Sequence, residues 1–488
     1  MFKLNFYTLN TMKKTIFSFV VILACFLAGQ ARAQNYAWAK GMGSTGQDDG
    51  RGIAVDGSGN VYTIGTFQGT VDFDPNAGTA NLSSVIGLDV FVQKLDASGN
   101  LVWAKRLGGT LGDAGCGISV DGSGNVYTTG SFQGTVDFDP NAGTAELTAA
   151  GNSDIFIQKL DASGNLVWAK RMGSLGDDVG RGISVDGLGN VYTTGYFVGK
   201  VDFDPNAGTT ELTAAGGSDI FIQKLDASGN LVWAKRLGST SSDVSNGISV
   251  DGSGNVYTTG YFRGTVDFDP NAGTNNLISE GFSLDIFVQK LDASGNLVWA
   301  KGMGGIDEDF GNGISVDGSG NVYTIGRFGM TVDFDPNAGT AELTAEGSRD
   351  IFVQKLDASG NLVWAKSMGG ASLDTGNGIS VDGLGNVYTT GSFGGTVDFD
   401  PNAGTAELTA TDETDIFVQK LDASGSLVWA KSVGGKGWDS GYGIAIDGSG
   451  NVYTTGSFQS TVDFDPNADT AELTAAGSWD IFVSKLTD

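Results

Sequence analysis

The sequence repeats itself seven times at a nearly fixed period. Asp-Phe-Asp-Pro begins at residues 72, 137, 202, 267, 333, 398 and 463, so the spacing is 65 residues with one step of 66, and all seven prolines lie in this motif. Such a period constrains the fold more than any local propensity does, because every unit must solve the same burial problem against its neighbours. Each unit carries four β-like segments, which in the second unit are residues 117–121, 125–130, 154–160 and 165–170. They are rich in β-branched and aromatic residues. Asp-Gly-Ser-Gly-Asn (121–125) and Asp-Ala-Ser-Gly-Asn (161–165) join them pairwise with hairpin chemistry. No segment sustains the 3.6-residue apolar period of a helix.

Four antiparallel strands repeated seven times describe an all-β chain forming a single seven-bladed β-propeller. The ends of the repeat array add a second constraint. Trp-Ala-Lys recurs at Trp38, Trp103, Trp168, Trp233, Trp299, Trp364 and Trp429, but its first copy precedes every other segment of its unit. The last unit reaches residue 488 without one. The N-terminal strand, residues 35–40, is therefore expected to complete the last blade and close the ring, leaving no open sheet edge.

The run Gly-Ile-Ser-Val-Asp-Gly-Ser-Gly-Asn-Val-Tyr-Thr-Thr-Gly, followed by Asp-Ile-Phe-Val-Gln-Lys-Leu-Asp-Ala-Ser-Gly-Asn-Leu-Val-Trp, resembles the bacterial seven-bladed β-propeller repeat (SBBP-type) family. The resemblance covers essentially all of residues 34–488. It implies the fold and an exported bacterial protein, and it implies little about activity, because the family is defined by its repeats.

Residues 1–33 read as a signal peptide, with the start either at Met1 or at Met12. Met12-Lys13-Lys14 is a basic n-region, residues 16–27 are apolar, and Ala31-Arg32-Ala33 is a cleavage signal. The apolar run is too short for a permanent span. A lipoprotein reading would anchor Cys25, but Phe26 and Leu27 continue the apolar run where a lipoprotein turns polar. The expected product is secreted to the extracellular space, the cell surface or the periplasm, as a monomer without a transmembrane segment. Cleavage removes Lys3, Lys13, Lys14 and Arg32 and no acid, taking the net charge from −28 to −32. That charge repels phosphate backbones and argues against nucleic acid. Cys116 alone remains, so no intrachain disulfide forms. It reads as a small residue in one copy of a repeat; a reactive thiol is the lesser reading.

The chain has no histidine, which removes Ser-His-Asp and Cys-His catalysis and histidine-bound zinc. A carboxylate pair remains open to it. Most acids, however, recur in near-identical copies, as structural turns do, whereas a catalytic centre needs asymmetry.

Calcium is the sharper rival, as the one cofactor admitted though none is required. Asp72, Asp74 and Asn76 stand at positions 1, 3 and 5 of a D-x-D-x-N run. So do Asp137, Asp139 and Asn141; Asp202, Asp204 and Asn206; and Asp267, Asp269 and Asn271. The remaining copies are Asp333, Asp335 and Asn337; Asp398, Asp400 and Asn402; and Asp463, Asp465 and Asn467. An EF-hand wants Gly at position 6, where Ala77 stands, and Glu at position 12, which is missing. Pro75 favours a tight turn with Phe73 packed inward and its acids facing solvent. The turn reading is preferred. The seven tryptophans of Trp-Ala-Lys are read as packing between blades, and the repeated lysines as partners of neighbouring carboxylates.

Strands and hairpin turns barely change between units, but two connections do. One follows the fourth strand and the other precedes the third. In an up-and-down blade both lie at one end, so they share a face of the disc, with the Asp-Phe-Asp-Pro motif expected beside them. Loops on a rigid scaffold are where recognition usually resides. The candidate ligand-binding residues there are Asp48, Asp49, Phe282, Asp307, Glu308, Asp309, Glu413, Trp438 and Trp479. The expected function is thus an exported, non-catalytic module that binds a protein or glycan through this face. The alternatives are a carboxylate-dependent hydrolase or lyase at the central channel and a cation-stabilised structural component of the envelope. Drift in solvated loops is the bland explanation of the variation.

Overall fold

The computed structural model describes residues 35–467 and 469–487. The signal segment, its cleavage site and Cys25 lie outside the described residues. Seven blades of four antiparallel strands stand around a central axis, and the sheet of the sixth is extended where Gly434 and Gly435 pair with Asp463 and Val462. In the first blade the strands, from the axis outward, are Asp49–Val55, Val61–Phe67, Asp89–Leu95 and Leu101–Leu107. The innermost strands follow one another around the ring, each packed on both neighbours, and Ser440–Ile446 of the last blade packs on Asp49–Val55 of the first. Asn35–Met42 pairs with Asp480–Thr487 and supplies the outer strand of the last blade, as the repeat count requires. The only helical element among the described residues is one 3-10 turn, Glu280–Phe282.

The hydrophobic core lies between blades. Tyr62, Ile64 and Val92 of the first blade, for example, pack in one cluster with Val126, Phe132 and Phe156 of the second. Burying a side chain of this size stabilises the fold by about 1.5–3 kcal/mol, and the arrangement recurs at every interface. The repeated tryptophan joins the same seam. Trp103 meets Tyr62 edge-on at 6.4 Å, and its indole N–H donates to the carbonyl of Ala162 in the next blade at 3.2 Å. In the sixth blade the Trp429 indole N–H is buried without an acceptor among the described residues.

Among the described residues the hydrogen bonds of the repeated lysines go to neutral acceptors, and turn carboxylates of the next blade lie within their field, Lys40 lowering the carboxyl of Asp96 and Lys105 that of Asp161. Lys94 lies over the Tyr62 ring at 5.0 Å and donates to Ala162 O at 3.4 Å, while Lys105 donates to the side-chain oxygen of Asn141 at 2.7 Å. Both use neutral acceptors of the next blade and so help hold the ring together.

Candidate functional site

The Asp-Phe-Asp-Pro motif forms a small hairpin, Thr70–Asp72 with Asn81–Ser83, inserted between the second and third strands. Val71 and Phe73 are fully buried, and Phe73 stacks near Phe67 (5.4 Å) and Phe91 (4.9 Å). Asp72 Oδ1 accepts the backbone N–H groups of Asp74 (3.0 Å) and Ala80 (2.8 Å), and Asp74 Oδ1 accepts that of Asn76 (3.0 Å). The acids therefore cap the turn's own backbone instead of simply facing solvent. The same pattern holds at Asp137 and Asp139, at Asp202 and Asp204, at Asp267 and Asp269, at Asp333 and Asp335, at Asp398 and Asp400, and at Asp463 and Asp465. Among the described residues no group of three or more His, Cys, Asp or Glu side chains has the arrangement to hold a metal ion.

The hairpin also lies elsewhere than expected. Its base begins on the variable face, but it folds back along the blade. At its tip the Asn76 amide reaches the Gly99 carbonyl (3.3 Å), in the turn joining the third and fourth strands. The motif's tip thus belongs to the opposite face. Alternation along the strands fixes where a connection starts, not where an inserted hairpin ends.

On the variable face the two connections of each blade run side by side. The N–H of Asp48 donates to Trp479 O at 3.0 Å, that of Asp309 to Leu284 O at 2.7 Å, and that of Asp439 to Thr414 O at 3.0 Å. The aspartate at this clasp occurs in every blade, as Asp48, Asp113, Asp178, Asp243, Asp309, Asp374 and Asp439, each buried. Its carboxylate accepts two backbone N–H groups, Ser44 and Gln68 for Asp48, and Gly305 and Gly329 for Asp309. Burial pushes Asp48 up to about 6 and Asp309 up to about 7. These two candidates are therefore repeated structural caps, hidden by the variable residues around them.

The other candidates divide. Phe282 is 79% exposed and Trp438 51% exposed, Glu413 is exposed, and Trp479 is half-buried beside Gln47. No ring contact brings Phe282, Trp438 and Trp479 together among the described residues. Asp307 accepts the N–H of Glu308. Asp49 is buried at the head of the first inner strand, accepting from Gln47 Nε2 at 3.1 Å with Arg51 at 3.8 Å.

The structure adds a set of residues that pattern reading passed over. Every inner strand carries a β-bulge at the same place, between Gly50 and Gly52 in the first blade and between Gly311 and Gly313 in the fifth. A bulge re-aims the extra residue away from the pleat. The seven extra residues are Arg51, Cys116, Arg181, Asn246, Asn312, Asn377 and Tyr442, and together they line a cavity of about 220 Å³ on the axis. The flanking position is close-packed: a Cβ on Gly50 would lie 2.4 Å from Thr455 Oγ1, and only the fourth blade places a side chain there, Ser245. The Asn246, Asn312 and Asn377 amides each donate to a backbone carbonyl of the next blade at 2.9 Å, stapling four adjacent inner strands. Cys116 sits between two arginines. Burial pushes its thiol up, and Arg51 and Arg181 only partly offset this. The sequence signal was present: this position and the strand's first residue vary from blade to blade, while the four residues beyond the bulge are nearly constant.

Beside Arg181 the mouth continues into an arginine–aromatic cluster across the third, fourth and fifth blades. The Arg181 guanidinium lies over the Tyr196 ring at 5.5 Å and donates to Asn246 Oδ1 at 3.3 Å. Tyr261 meets Phe310 edge-on at 5.0 Å, and Phe310 carries the guanidiniums of Arg327 at 4.5 Å and Arg349 at 5.4 Å. Burial raises the Tyr261 hydroxyl while Arg181 and Arg327, both near it, act the other way. Glu308 pairs with Arg349 at 2.9 Å and with Arg263 at 3.8 Å.

The chain is similar to several known proteins. An uncharacterised WD repeat-containing protein of Acanthamoeba polyphaga mimivirus is 24% identical over 92% of this chain and 38% of its own length. The regulatory protein FlaEY of Caulobacter vibrioides is 25% identical over 87% of this chain and 44% of its own. The chain thus spans less than half the length of these curated relatives. Among solved structures, the WD40 domain of Neurospora crassa Pan2 aligns over 76% of this chain and 89% of its own, with 11% identity and a TM-score of 0.35. The SBBP beta-propeller repeat matches residues 102–131, 167–196, 232–261, 363–392 and 428–457, each running from an outer strand to the second strand of the following blade. Five stretches of the chain thus match the SBBP beta-propeller repeat, within an architecture of seven blades.

Proposed function

We propose that this chain is an exported, non-catalytic β-propeller module that recognises a protein or glycan through its variable-loop face. One observation carries the reading: residues that differ between units gather at one end of the disc and at the channel ring beneath it, while the opposite end repeats. Neutral drift has no reason to gather Arg51 and Arg181, at the varied bulge position, and the unrepeated Arg263, Arg327 and Arg349 around one mouth. The WD-repeat and regulatory character of the relatives supports a role as an interaction scaffold. The export assignment rests on residues 1–33 of the sequence.

The hydrolase or lyase reading needs unrepeated acids converging at the channel. The residues lining the axial cavity are Arg, Cys, Asn and Tyr, with no carboxylate among them. The test is a binding screen of the protein from Gln34 onward against surface glycans and envelope proteins. A variant whose two variable connections are grafted to the commonest repeat sequence serves as control. Loss of the hit on grafting supports the reading, and retention contradicts it.

A further inference from the structure

The arginines of this chain fall into two groups. Of the eight among the described residues, Arg106, Arg171 and Arg236 occupy one repeated position and pair with Asp89, Asp154 and Asp219. Of the other five, Arg51 and Arg181 share the bulge position of the inner strand while Arg263, Arg327 and Arg349 are unrepeated, and four of the five, Arg181, Arg263, Arg327 and Arg349, lie in the cluster spanning the third to fifth blades. In a chain of net charge −28 this is a concentration of positive charge at one mouth. Within ion-pair distance among the described residues those four share a single carboxylate, Glu308. Arg181 and Arg327 have none. The Nε–H groups of Arg263 and Arg327 are buried without any acceptor. A buried donor left unpaired costs about 1–3 kcal/mol, more when charged, and such a cost invites an acceptor from outside. Tyr196 and Phe310 hold three of the guanidiniums, Arg181, Arg327 and Arg349, from behind by cation–π contact, which fixes the planes of their donor forks.

Glu308 indicates what fits. It is an unrepeated residue on a loop, in the run Ile306-Asp307-Glu308-Asp309, and it presents a peptide-borne carboxylate to Arg349 and Arg263. The chain therefore already displays one acidic peptide segment to this cluster. Next to it a second cavity of about 430 Å³ opens, lined by Thr240, Ser241, Ser242, Tyr261, Arg263 and Leu284, which offers polar contacts to a backbone entering beside the arginines.

We propose that the mouth formed by the third, fourth and fifth blades binds an acidic peptide segment of a partner protein. Carboxylates of that segment engage Arg327 and Arg181, and one competes with Glu308 for Arg349 and Arg263. Glu308 is then an internal competitor that sets a threshold on affinity. Arginine is suited to this because its fork accepts a carboxylate bidentately. The assignment rests on the variable face being the recognition surface and names what it recognises.

The experiment is a fluorescence-anisotropy titration of the protein with a labelled oligoglutamate at low and high salt, with oligogalacturonate in parallel. Salt-sensitive oligoglutamate binding is expected, weakened roughly tenfold or more by Arg327→Gln and by Arg349→Gln. Arg327→Lys should retain part of it, and Glu308→Gln should tighten it by roughly three- to tenfold through loss of the competitor. Thermal melts of each variant establish that the fold is intact. No oligoglutamate binding, or unchanged binding in both Arg→Gln variants, overturns the proposal. So does oligogalacturonate binding at these arginines in preference to the peptide. If these fail while the hit from the binding screen still needs the ungrafted loops, the acidic-peptide assignment falls and the broader reading stands.

Discussion

Arg106 Nε donates to the buried carboxylate of Asp89 at 2.5 Å, across the two outer strands of the first blade. The aspartate recurs in all seven blades, but the arginine recurs only at Arg171 and Arg236. Gly41, Gly302, Ser367 and Ser432 stand in its place elsewhere. Without the guanidinium, burial pushes Asp285 up to about 7. A Cβ at Gly302 would meet Phe262 only at ordinary contact distance, 3.5 Å. Gly302→Arg and Ser367→Arg are therefore expected to stabilise the fold, each through a charge-assisted hydrogen bond of about 1.5–3 kcal/mol. That should raise Tm by roughly 1–3 °C in a domain of this size. Arg106→Met should lower it. Calorimetry on the three variants checks the pair of opposite signs.

The clasp aspartates give a pH dependence whose direction follows from their burial. Asp48, Asp113, Asp178 and Asp374 are pushed up to about 6, and Asp309 and Asp439 to about 7. Unfolded, they titrate near 3.8, so the native state holds their protons more tightly. Their contribution is full below about pH 4 and is lost as pH rises through 6 to 7. The hairpin aspartates act oppositely. Burial disfavours ionisation of Asp56, but hydrogen bonds from Asn60, Ser58 and Tyr62 outweigh it and hold the carboxyl below its ordinary value. That contribution is lost as pH falls through the folded value, below about 3.8. Tm should therefore be highest near pH 4–5 and decline toward pH 8, and it should also fall in stronger acid. A melting series across this range, in which a flat or rising limb from pH 5 to 8 contradicts the assignment, is sufficient.

The motif hairpin makes a further prediction, because its acids are engaged by backbone N–H groups. Asp72→Ala leaves two donors without their acceptor and should cost roughly 1–2 kcal/mol. Calcium or chelator should leave Tm unchanged, since a cation bound only by the native state would raise it. Melts of the wild type in calcium and in chelator test this. A rise with calcium would restore the metal reading of Asp72, Asp74 and Asn76.

What the sequence made legible was whatever repeated with the period. Blade number, strand count and closure by residues 35–40 all followed from spacing, and the packing roles of Phe73 and Trp103 followed from their recurrence in every unit. Three things were not legible, each for a physical reason. Asp48 and Asp309 looked variable because the loops around them vary, although the clasp itself recurs. The tip beyond Asp74 lies on the far face because an inserted hairpin is free to fold back along its blade. Arg51 and its six counterparts escaped notice because a bulge breaks the period-2 alternation that assigns strand residues to faces.

Closure itself is testable at the seam between Asn35–Met42 and Asp480–Thr487. Deleting residues 35–42 removes the outer strand of the last blade and exposes the edge of Asp480–Thr487, a template for pairing with another chain. The truncated protein is expected to melt at lower temperature and to self-associate, as seen by light scattering, whereas the full ring stays monodisperse.

The central claim is that recognition resides on the face where the blades differ. The most direct measurement compares the Kd of a hit from the binding screen for three proteins. These are the wild type, a variant with its variable connections grafted to the commonest repeat sequence, and a variant substituted at exposed serines of the opposite turns, such as Ser98 and Ser163. The account predicts a loss of roughly tenfold or more for the graft and an unchanged Kd for the opposite-face variant. An unaffected graft, with binding lost at the opposite turns, would contradict it.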